Sequence, residues 1–291
     1  MGKVATIGFF DGVHLGHQAV LNNLVQLAHE ADKQSVVFTF IEHPKKFFSP
    51  DIPFPLLTTP SERQSLLSEY ADQVVMLKFD EVHSLTAAEF LQLINEDYQV
   101  DELLLGYNNF FGSDKITDAA TYERVAQNFD IAIRRGSELK FNNANVSSTR
   151  IRQAIGSGDI PLANELLGYK YKLSGVVVKG RQIGHQLGFP TANLMPDNNE
   201  KMIPADGVYA VKAELQNAVV HVAIANIGCN PTFDSKDKTI EVHIPNTNES
   251  LYGQKLKISF LEKLRNEVKF PNTISLQKQI ANDIQRLEKY T

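Results

Sequence analysis

The sequence is poor in the residue types that build disulfide frameworks and membrane spans. Its 291 residues include one cysteine, Cys229, and no tryptophan. A single cysteine excludes an intramolecular disulfide and a thiolate metal cluster, and it fits a reducing cytoplasm. No apolar run approaches the ~20 residues that a membrane-spanning helix needs. The N-terminus also lacks the long apolar segment of a signal peptide. We therefore expect a cytoplasmic protein without a membrane partner.

A large excess of charge of one sign is also missing, as are internal repeats and low-complexity segments. The 29 lysines and arginines against 34 acidic residues give a formal net charge of −5. This balance argues against a general nucleic-acid partner. A hydrophobic content of 43% suits a soluble globular chain of one or two domains. Composition leaves the oligomeric state open.

In the first part of the chain, strand-like and helix-like segments alternate. Near-continuous apolar runs lie at 35–40, 73–79 and 101–107, with helical spacing at 61–70 and 86–96. Such runs are typical of parallel strands that are covered on both faces. The alternation predicts a doubly wound α/β domain over 1–168, whose ligands bind at the C-terminal ends of the strands.

The second part of the chain has a different pattern. Strand-like segments punctuated by glycine, proline and asparagine lie at 172–180, 207–215, 219–228, 239–244 and 255–264. Closely spaced strands without intervening helices predict a small antiparallel β-barrel. One helix is predicted from Ser275 onward, with Leu276, Ile280, Ile284 and Leu287 on one face. We predict that this barrel domain covers 169–291.

The stretch GFFDGVHLGH, residues 8–17, follows a short apolar strand and precedes a helical pattern. Glycines in such a turn let the backbone approach a ligand, and the free N–H groups of the new helix favour an anion. His14 and His17 can donate hydrogen bonds to phosphate oxygens. The alternative is a tight turn with incidental histidines. We favour a nucleotide-phosphate site.

A second anion-binding pattern is the stretch VSSTRIRQ, residues 146–153. Ser147, Ser148 and Thr149 enter a predicted helix that carries Arg150 and Arg152. Helix capping alone can explain the hydroxyl groups. The arginines one turn later add a site that can hold a polyphosphate.

Aromatic residues follow two of the predicted strands, within the segments 41–48 and 105–112. Phe47, Phe48, Phe110 and Phe111 can stack on a flat aromatic ring at the ligand-binding edge of the sheet. Composition alone does not separate this interpretation from simple core packing.

The stretch GRQIGHQLGFPTANL, residues 180–194, is rich in glycine but lacks the lysine of a Walker P-loop. Its backbone N–H groups can wrap phosphates. On an extended segment Thr191 and Asn193 point the same way, so that hydroxyl and amide oxygens can share one Mg²⁺. A glycine-rich barrel hairpin is the alternative. Glu241, on the polar face of 239–244, is either a solvated carboxylate or a general base facing a substrate hydroxyl.

Two levels of resemblance follow from these motifs. H-x-G-H together with S-S-T-x-x-R resembles the nucleotidyltransferase superfamily. Over nearly its whole length the chain resembles the bacterial bifunctional riboflavin kinase/FAD synthetase family, through GFFDGVHLGH, EHPKKFF, SSTRIR, KGRQIGHQLGFPTANL, DGVYAV, NIGCNPTF, EVHI, LYGQKL and FLEKLRNEVKF. The resemblance implies a nucleotidyltransferase-like FMN adenylyltransferase domain and a riboflavin kinase barrel. Riboflavin, FMN and ATP would be the small-molecule substrates and Mg²⁺ the metal, with FAD and pyrophosphate as final products.

The resemblance also implies roles for individual residues. Phosphate and leaving-group stabilisation falls to His14, His17 and Arg152, and Glu241 would take the proton of the ribityl 5′-hydroxyl. ATP binding is assigned to Gly8, Phe10, Asp11, Gly16, Ser148, Thr149, Gly180, Gly184, Gly188, Thr191 and Asn193. Of these, Thr191 and Asn193 also match the Mg²⁺ ligands. Flavin contacts are assigned to His43, Phe48, Asn108, Phe111 and Arg265.

One position departs from the family pattern, since Asn109 stands where the family has phenylalanine. Two other functions stay open from the sequence. The first is a riboflavin kinase whose N-terminal adenylyltransferase is weakened or altered. The second is a flavin-binding regulatory protein with vestigial catalytic sites.

Overall fold

The computed structural model describes residues 2–106, 110–136, 140–141, 144–180, 184, 187–229, 238–247 and 250–290. The chain divides into two compact units, residues 1–148 and 149–291. Within the described residues, we find no helix that is both long enough and apolar enough to span a bilayer.

The first unit is an α/β unit built around a five-stranded parallel sheet. Its elements are β1 Lys3–Ile7, α1 Leu15–Glu30, β2 Gln34–Phe40, α2 Pro44–Phe48, α3 Pro60–Ser68, β3 Gln73–Leu77, α4 Phe79–Val82, α5 Ala87–Tyr98, β4 Val100–Leu105, α6 Ala119–Gln127, β5 Ala132–Arg135, β6 Lys140–Phe141 and β7 Ala144–Asn145. The strand order is β3-β2-β1-β4-β5, with every neighbouring pair parallel. The order reverses at β1, which is therefore the switch point where ligands of such sheets bind.

Alternating side chains of the central strands cover both faces of this sheet. Val4 and Val37 face a core shared with α1 and α3, whereas Ala5 and Phe38 face a core shared with α5 and α6. Because both faces are buried, β2 shows a continuous apolar run in the sequence. The predicted doubly wound fold is confirmed.

Local capping sets the limits of several elements. Thr86 and Glu89 form the capping box that opens α5. β3 ends at Leu77 rather than at residue 79, because Lys78 is the N-cap of the short helix α4. β4 ends at Leu105, before the end of the apolar run that predicted it.

The second unit contains a closed antiparallel barrel. Its elements are α7 Ser148–Ser157, which starts at the boundary, α8 Ile160–Leu167, β8 Lys172–Val178, β9 Ala192–Pro196, β10 Gly207–Leu215, β11 Val220–Cys229, β12 Lys238–His243, β13 Lys255–Arg265, α9 Thr273–Gln285 and a 3₁₀ turn Arg286–Tyr290. The strand order is β10-β11-β12-β9-β8-β13, and β13 pairs with β10 to close the barrel.

The C-terminal helix and the 3₁₀ turn that follows it pack on the barrel, as the apolar stripe predicts. Leu287 and Ile284 contact Val208 and Ile224 in one cluster. The helix begins two residues before its predicted start, because the Asn272 side chain caps it. The predicted barrel with a C-terminal helix is confirmed.

Helix α8 packs against the barrel through a buried asparagine. Asn164 donates from Nδ2 to the carbonyl of Phe260 at 3.0 Å and accepts from the N–H of Tyr171 at 2.7 Å. The division at 168/169 stays a prediction.

Candidate active sites

The turn between β1 and α1 carries unusual backbone conformations. Phe10 and Val13 have φ values of +55° and +35°, and Gly12 has +83°. Non-glycine residues in this region cost of order 1–3 kcal/mol each and cluster at functional sites. The turn lies at the switch point of the sheet, so its location and its strain both favour a ligand site.

Asp11 holds this turn in place. Its carboxylate, 2% exposed, accepts hydrogen bonds from the N–H groups of Leu57 and Thr58 at 3.1 and 3.0 Å. The Thr58 hydroxyl accepts in turn from the N–H of Gly12 at 3.0 Å. A buried carboxylate with such partners shapes the loop, and its contact with ATP stays a prediction.

The two histidines lie at the start of α1. His14 Nδ1 caps the helix by accepting from the N–H of His17 at 3.3 Å, and the two rings stack at 3.6 Å between centroids. His17 keeps partial exposure, but protein atoms surround its ring. This desolvation, followed by the charge of His14, holds the pKa of His17 well below its usual value. His17 is therefore neutral at neutral pH, and any part it takes in binding a phosphate would use an N–H dipole rather than a charge.

His17 also carries an orphaned atom. Its Nδ1 is buried and finds no hydrogen-bond partner among the residues that the structure describes. Buried polar atoms in proteins are nearly always satisfied, so an exception calls for a ligand or another explanation. A phosphate oxygen would satisfy an N–H at this position.

The structure brings the serine motif to the same turn. Ser148, at the start of α7, donates its hydroxyl hydrogen to the carbonyl of Asp11 at 3.0 Å. An added Cβ at Gly16 would lie 3.2 Å from the His14 ring and 3.3 Å from the carbonyl of Val146, so these neighbours would have to shift by a few tenths of an ångström to admit a side chain. Gly8 continues the sheet by donating to the carbonyl of Phe38 at 3.0 Å.

The other two residues of this predicted site belong to the second unit. Thr149 is exposed on the first turn of α7, and Arg152 is half-buried on the same helix. Their roles stay predictions.

Sequence reasoning missed one residue beside the turn, the fully buried Arg63 of α3. Its guanidinium lies 4.1 Å from the centroid of the Phe9 ring and donates to the carbonyls of Phe40 and Ile41 at the end of β2. Desolvation, partly offset by Asp11, lowers the pKa of Arg63 to about 10. The sequence carried no signal for this burial, because arginine is almost never fully buried unless it is paired.

Of the two predicted flavin contacts after β2, His43 is half-buried and Phe48 is exposed. His43 caps α2 by accepting from the N–H of Lys45 at 3.0 Å, and its ring contacts Phe9 at 4.3 Å. Phe48 is 68% exposed and packs edge-on against Phe79 at 5.8 Å. An exposed ring of this kind is available for stacking on a flat ligand.

The aromatic pair after β4 divides between core and surface. Phe111 packs into the core against Phe90 at 5.0 Å, whereas Phe110 is 40% exposed beneath the guanidinium of Arg135. For Phe111 the core interpretation therefore applies, and its flavin role stays a prediction. The predicted contact at Asn108, like the departure at Asn109, lies outside the described residues.

The second unit holds a pocket of about 590 Å³. Its walls come from the glycine loop, the barrel strands, the segment after β13 and one face of α9. The lining residues include Gly184, Thr191, Asn226, Glu241, Arg265, Glu267 and Asp283. A volume of this order matches a small-molecule site.

Glu241 lies in a row of polar residues across three strands. It pairs with Asn193 of β9 on one side and with Asn226 of β11 on the other. Thr191 donates its hydroxyl hydrogen to Glu241 Oε2 at 3.3 Å. Glu241 alternates with the buried Ile240 and keeps partial exposure, as the sequence pattern predicts. The carboxylate faces the pocket and can accept a proton there.

The two predicted metal ligands differ in their surroundings. Thr191 lines the pocket, whereas the amide of Asn193 lies against Gly180, where an added Cβ would come within 2.1 Å of Nδ2. A side chain at residue 180 would therefore displace the Asn193 amide from this position. Gly184 lines the pocket and accepts from the N–H of Phe189 at 2.8 Å, and Gly188 has a φ of +82°.

The donor set around Glu241 fits Mg²⁺. Hydroxyl, amide and carboxylate oxygens are the hard ligands this ion takes, usually together with water and substrate phosphates. Thr191 and Glu241 bring two such oxygens within 3.3 Å of each other. Asn193 is the cross-strand neighbour of Glu241, so its position, and not a measured oxygen contact, makes it the candidate third ligand.

Arg265 and its partners also line the pocket. Sequence reasoning found Arg265 but missed Asp283, Asn226 and Glu267, which also line the pocket. Asp283 had a signal, since it interrupts the apolar face of the C-terminal helix. Asn226 and Glu267, which are joined by a hydrogen bond of 3.1 Å, had none, because tertiary pairing alone brings them together.

Comparison with known proteins agrees with both halves of this description. The FAD synthetase family model matches residues 1–150, and the riboflavin kinase family model matches residues 167–291. The bifunctional riboflavin kinase/FMN adenylyltransferase of Haemophilus influenzae is 32% identical, with 99% of this chain and 94% of that protein covered. The protein of the same name from Bacillus subtilis is 34% identical, with 99% and 92% covered.

A solved structure has the same fold. The crystal structure described as a macrolide-efflux protein from Streptococcus pneumoniae superposes with a TM-score of 0.91 at 32% identity, covering 100% of this chain and 95% of that one. Neither family model has efflux in its description, and the two models together account for both units. The chain belongs to the bifunctional riboflavin kinase/FMN adenylyltransferase family.

Proposed function

We propose that this chain phosphorylates riboflavin to FMN in the pocket of its barrel and then adenylylates FMN to FAD at the turn between β1 and α1. The observation that carries the proposal is the position of Glu241, in the pocket and beside Thr191. ATP is the phosphoryl donor in the first step and the adenylyl donor in the second. The single cysteine fits an enzyme of the reducing cytoplasm.

In the kinase step, Glu241 accepts the proton of the ribityl 5′-hydroxyl as that oxygen attacks the γ-phosphorus of ATP, and ADP leaves. Thr191 and Asn193 would hold Mg²⁺, which neutralises phosphate charge when bound. Arg265 lines the wall on the flavin side. Carboxylate, hydroxyl and guanidinium thus converge on one pocket.

In the adenylyl step, a phosphate oxygen of FMN attacks the α-phosphorus of ATP and pyrophosphate leaves. The protein forms no covalent intermediate, so its task is to align the reactants and to stabilise developing negative charge. We assign charge stabilisation to His14, His17 and Arg152, and orientation of the nucleotide to Ser148 and Thr149.

Product analysis tests the proposal directly. Incubation with riboflavin, ATP and Mg²⁺, followed by chromatographic separation of the flavins, should yield FMN and FAD. FMN alone would indicate a kinase with an altered first unit. Neither product would indicate a flavin-binding regulatory protein and would overturn the proposal.

The two activities should also fail separately. Asn193→Ala removes a proposed Mg²⁺ ligand from the barrel and should stop FMN formation, while FAD formation from supplied FMN continues. Asn217→Ala, an asparagine in the exposed hairpin between β10 and β11, is the matched control. A folded Asn193→Ala protein that loses both activities would contradict two separate sites.

A further inference from the structure

The guanidinium of Arg265 is fixed to the C-terminal helix. Its Nε and one terminal nitrogen both lie 2.8 Å from Oδ2 of Asp283. Its other terminal nitrogen donates to the carbonyl of Asn266 at 3.1 Å. The end of β13 and the pocket-facing side of α9 are therefore joined at the pocket wall.

Asp283 has its other oxygen engaged as well. Oδ1 accepts from the side-chain amide of Gln279, one turn earlier on α9, at 2.9 Å. Asp283 is 1% exposed, although its helix otherwise turns apolar residues toward the barrel. Burying a carboxylate is unfavourable unless an opposite charge and hydrogen bonds offset the lost hydration. Here both oxygens are satisfied within the wall of the pocket.

This ion pair orients the guanidinium of Arg265 at the pocket wall, in addition to joining β13 to α9. A guanidinium presents its donors in a rigid plane, so the contacts to Asp283 Oδ2 and to the Asn266 carbonyl together fix the orientation of that plane. Without Asp283, the long side chain of Arg265 would regain its rotamers and turn toward water. The pocket would then lose a preformed wall on the flavin side.

We propose that Asp283 is a positioning residue for riboflavin binding, which holds Arg265 in the orientation that closes the pocket. The inference rests on the proposed kinase function. Asp283 does not contact the phosphates or the reacting hydroxyl in this scheme, so its loss affects flavin affinity rather than chemistry.

Asp283→Asn keeps the shape of the side chain and removes its charge. We expect the KM for riboflavin to rise about 10- to 100-fold, the usual cost of losing a hydrogen bond to a charged group. The kcat should stay within about threefold, and the KM for ATP should not change, because Glu241 and Thr191 are untouched. Steady-state kinase assays measure all three values.

A double-variant cycle separates positioning from general stability. If Asp283 acts through Arg265, adding Asp283→Asn to Arg265→Gln should leave the riboflavin KM where the Arg265→Gln change alone puts it. An equal further rise in that background would overturn the proposal, and so would an unchanged KM in the single variant.

A second ion pair between β13 and the C-terminal segment provides a matched control. Lys289, in the 3₁₀ turn, pairs with Glu262 of β13 at 2.6 Å, outside the pocket. Lys289→Gln should leave the riboflavin KM unchanged. If Asp283→Asn fails to fold, Gln279→Ala decides, since it removes only the hydrogen bond to Oδ1: a raised riboflavin KM supports the proposal, and an unchanged one overturns it.

Failure of the proposed function would look different. Wild-type protein that forms no FMN defeats the kinase assignment itself. Active wild type with a riboflavin KM that does not respond to Asp283→Asn defeats the positioning role alone.

Discussion

Glu241→Gln is expected to reduce riboflavin phosphorylation by ~10²–10⁴-fold, the usual loss when a general base is removed. Glutamine keeps the shape and the hydrogen bond to Thr191 but cannot accept the hydroxyl proton. The defect should appear in kcat, because the other residues that line the pocket for riboflavin and ATP are unchanged. Riboflavin phosphorylation measured by chromatography checks the loss, and equilibrium dialysis checks binding.

A carboxylate elsewhere on the barrel provides the control for this change. Glu214 on β10 pairs with Lys257 at 2.6 Å and does not line the pocket. The Glu214→Gln enzyme should therefore phosphorylate riboflavin at the wild-type rate. If the Glu241→Gln enzyme phosphorylates riboflavin within about threefold of the wild-type rate, Glu241 is an ordinary solvated carboxylate and not the general base.

His17→Ala is expected to reduce FAD formation from FMN by ~10²–10³-fold, comparable to the loss of one donor that stabilises transition-state charge. The ring is neutral because desolvation lowers its pKa, so the loss is that of a single N–H donor. Riboflavin phosphorylation should continue at the wild-type rate, because the kinase pocket is lined by the second unit. Single-turnover assays with supplied FMN measure the effect.

Two variants on the same helix isolate this role. His29 lies exposed in the last turn of α1, so His29→Ala tests the loss of any imidazole from that helix. His14→Ser keeps a side chain that can cap the helix, which avoids the ~1 kcal/mol that loss of a cap costs. A fall in FAD formation in this variant would therefore report the loss of the His14 imidazole rather than the loss of the cap. FAD formation that survives His17→Ala would remove His17 from the leaving-group site.

The sequence predicted the elements whose burial is strong and local. The strand 207–215 was found at the predicted residues, because its apolar pattern and leading glycine depend on no distant partner. Weakly patterned elements escaped prediction. β5 consists of Ala-Ile-Arg-Arg at the edge of the sheet, and pairing with β4 alone makes it a strand. Helix α8 escaped although Asp159 caps it and Gly168 ends it.

By itself the sequence determined the two folding patterns and the motifs that mark the sites, because periodicity, turn residues and motif spacing are properties of neighbouring residues. Only the tertiary structure decided which side chains meet. It placed Asn193, Glu241 and Asn226 in one row across three strands, and it set Asp283 against Arg265. It also assigned Asp11 to holding the turn and Phe111 to the core. Strand register and helix docking depend on the burial of the whole unit, and no local stretch of sequence contains that information.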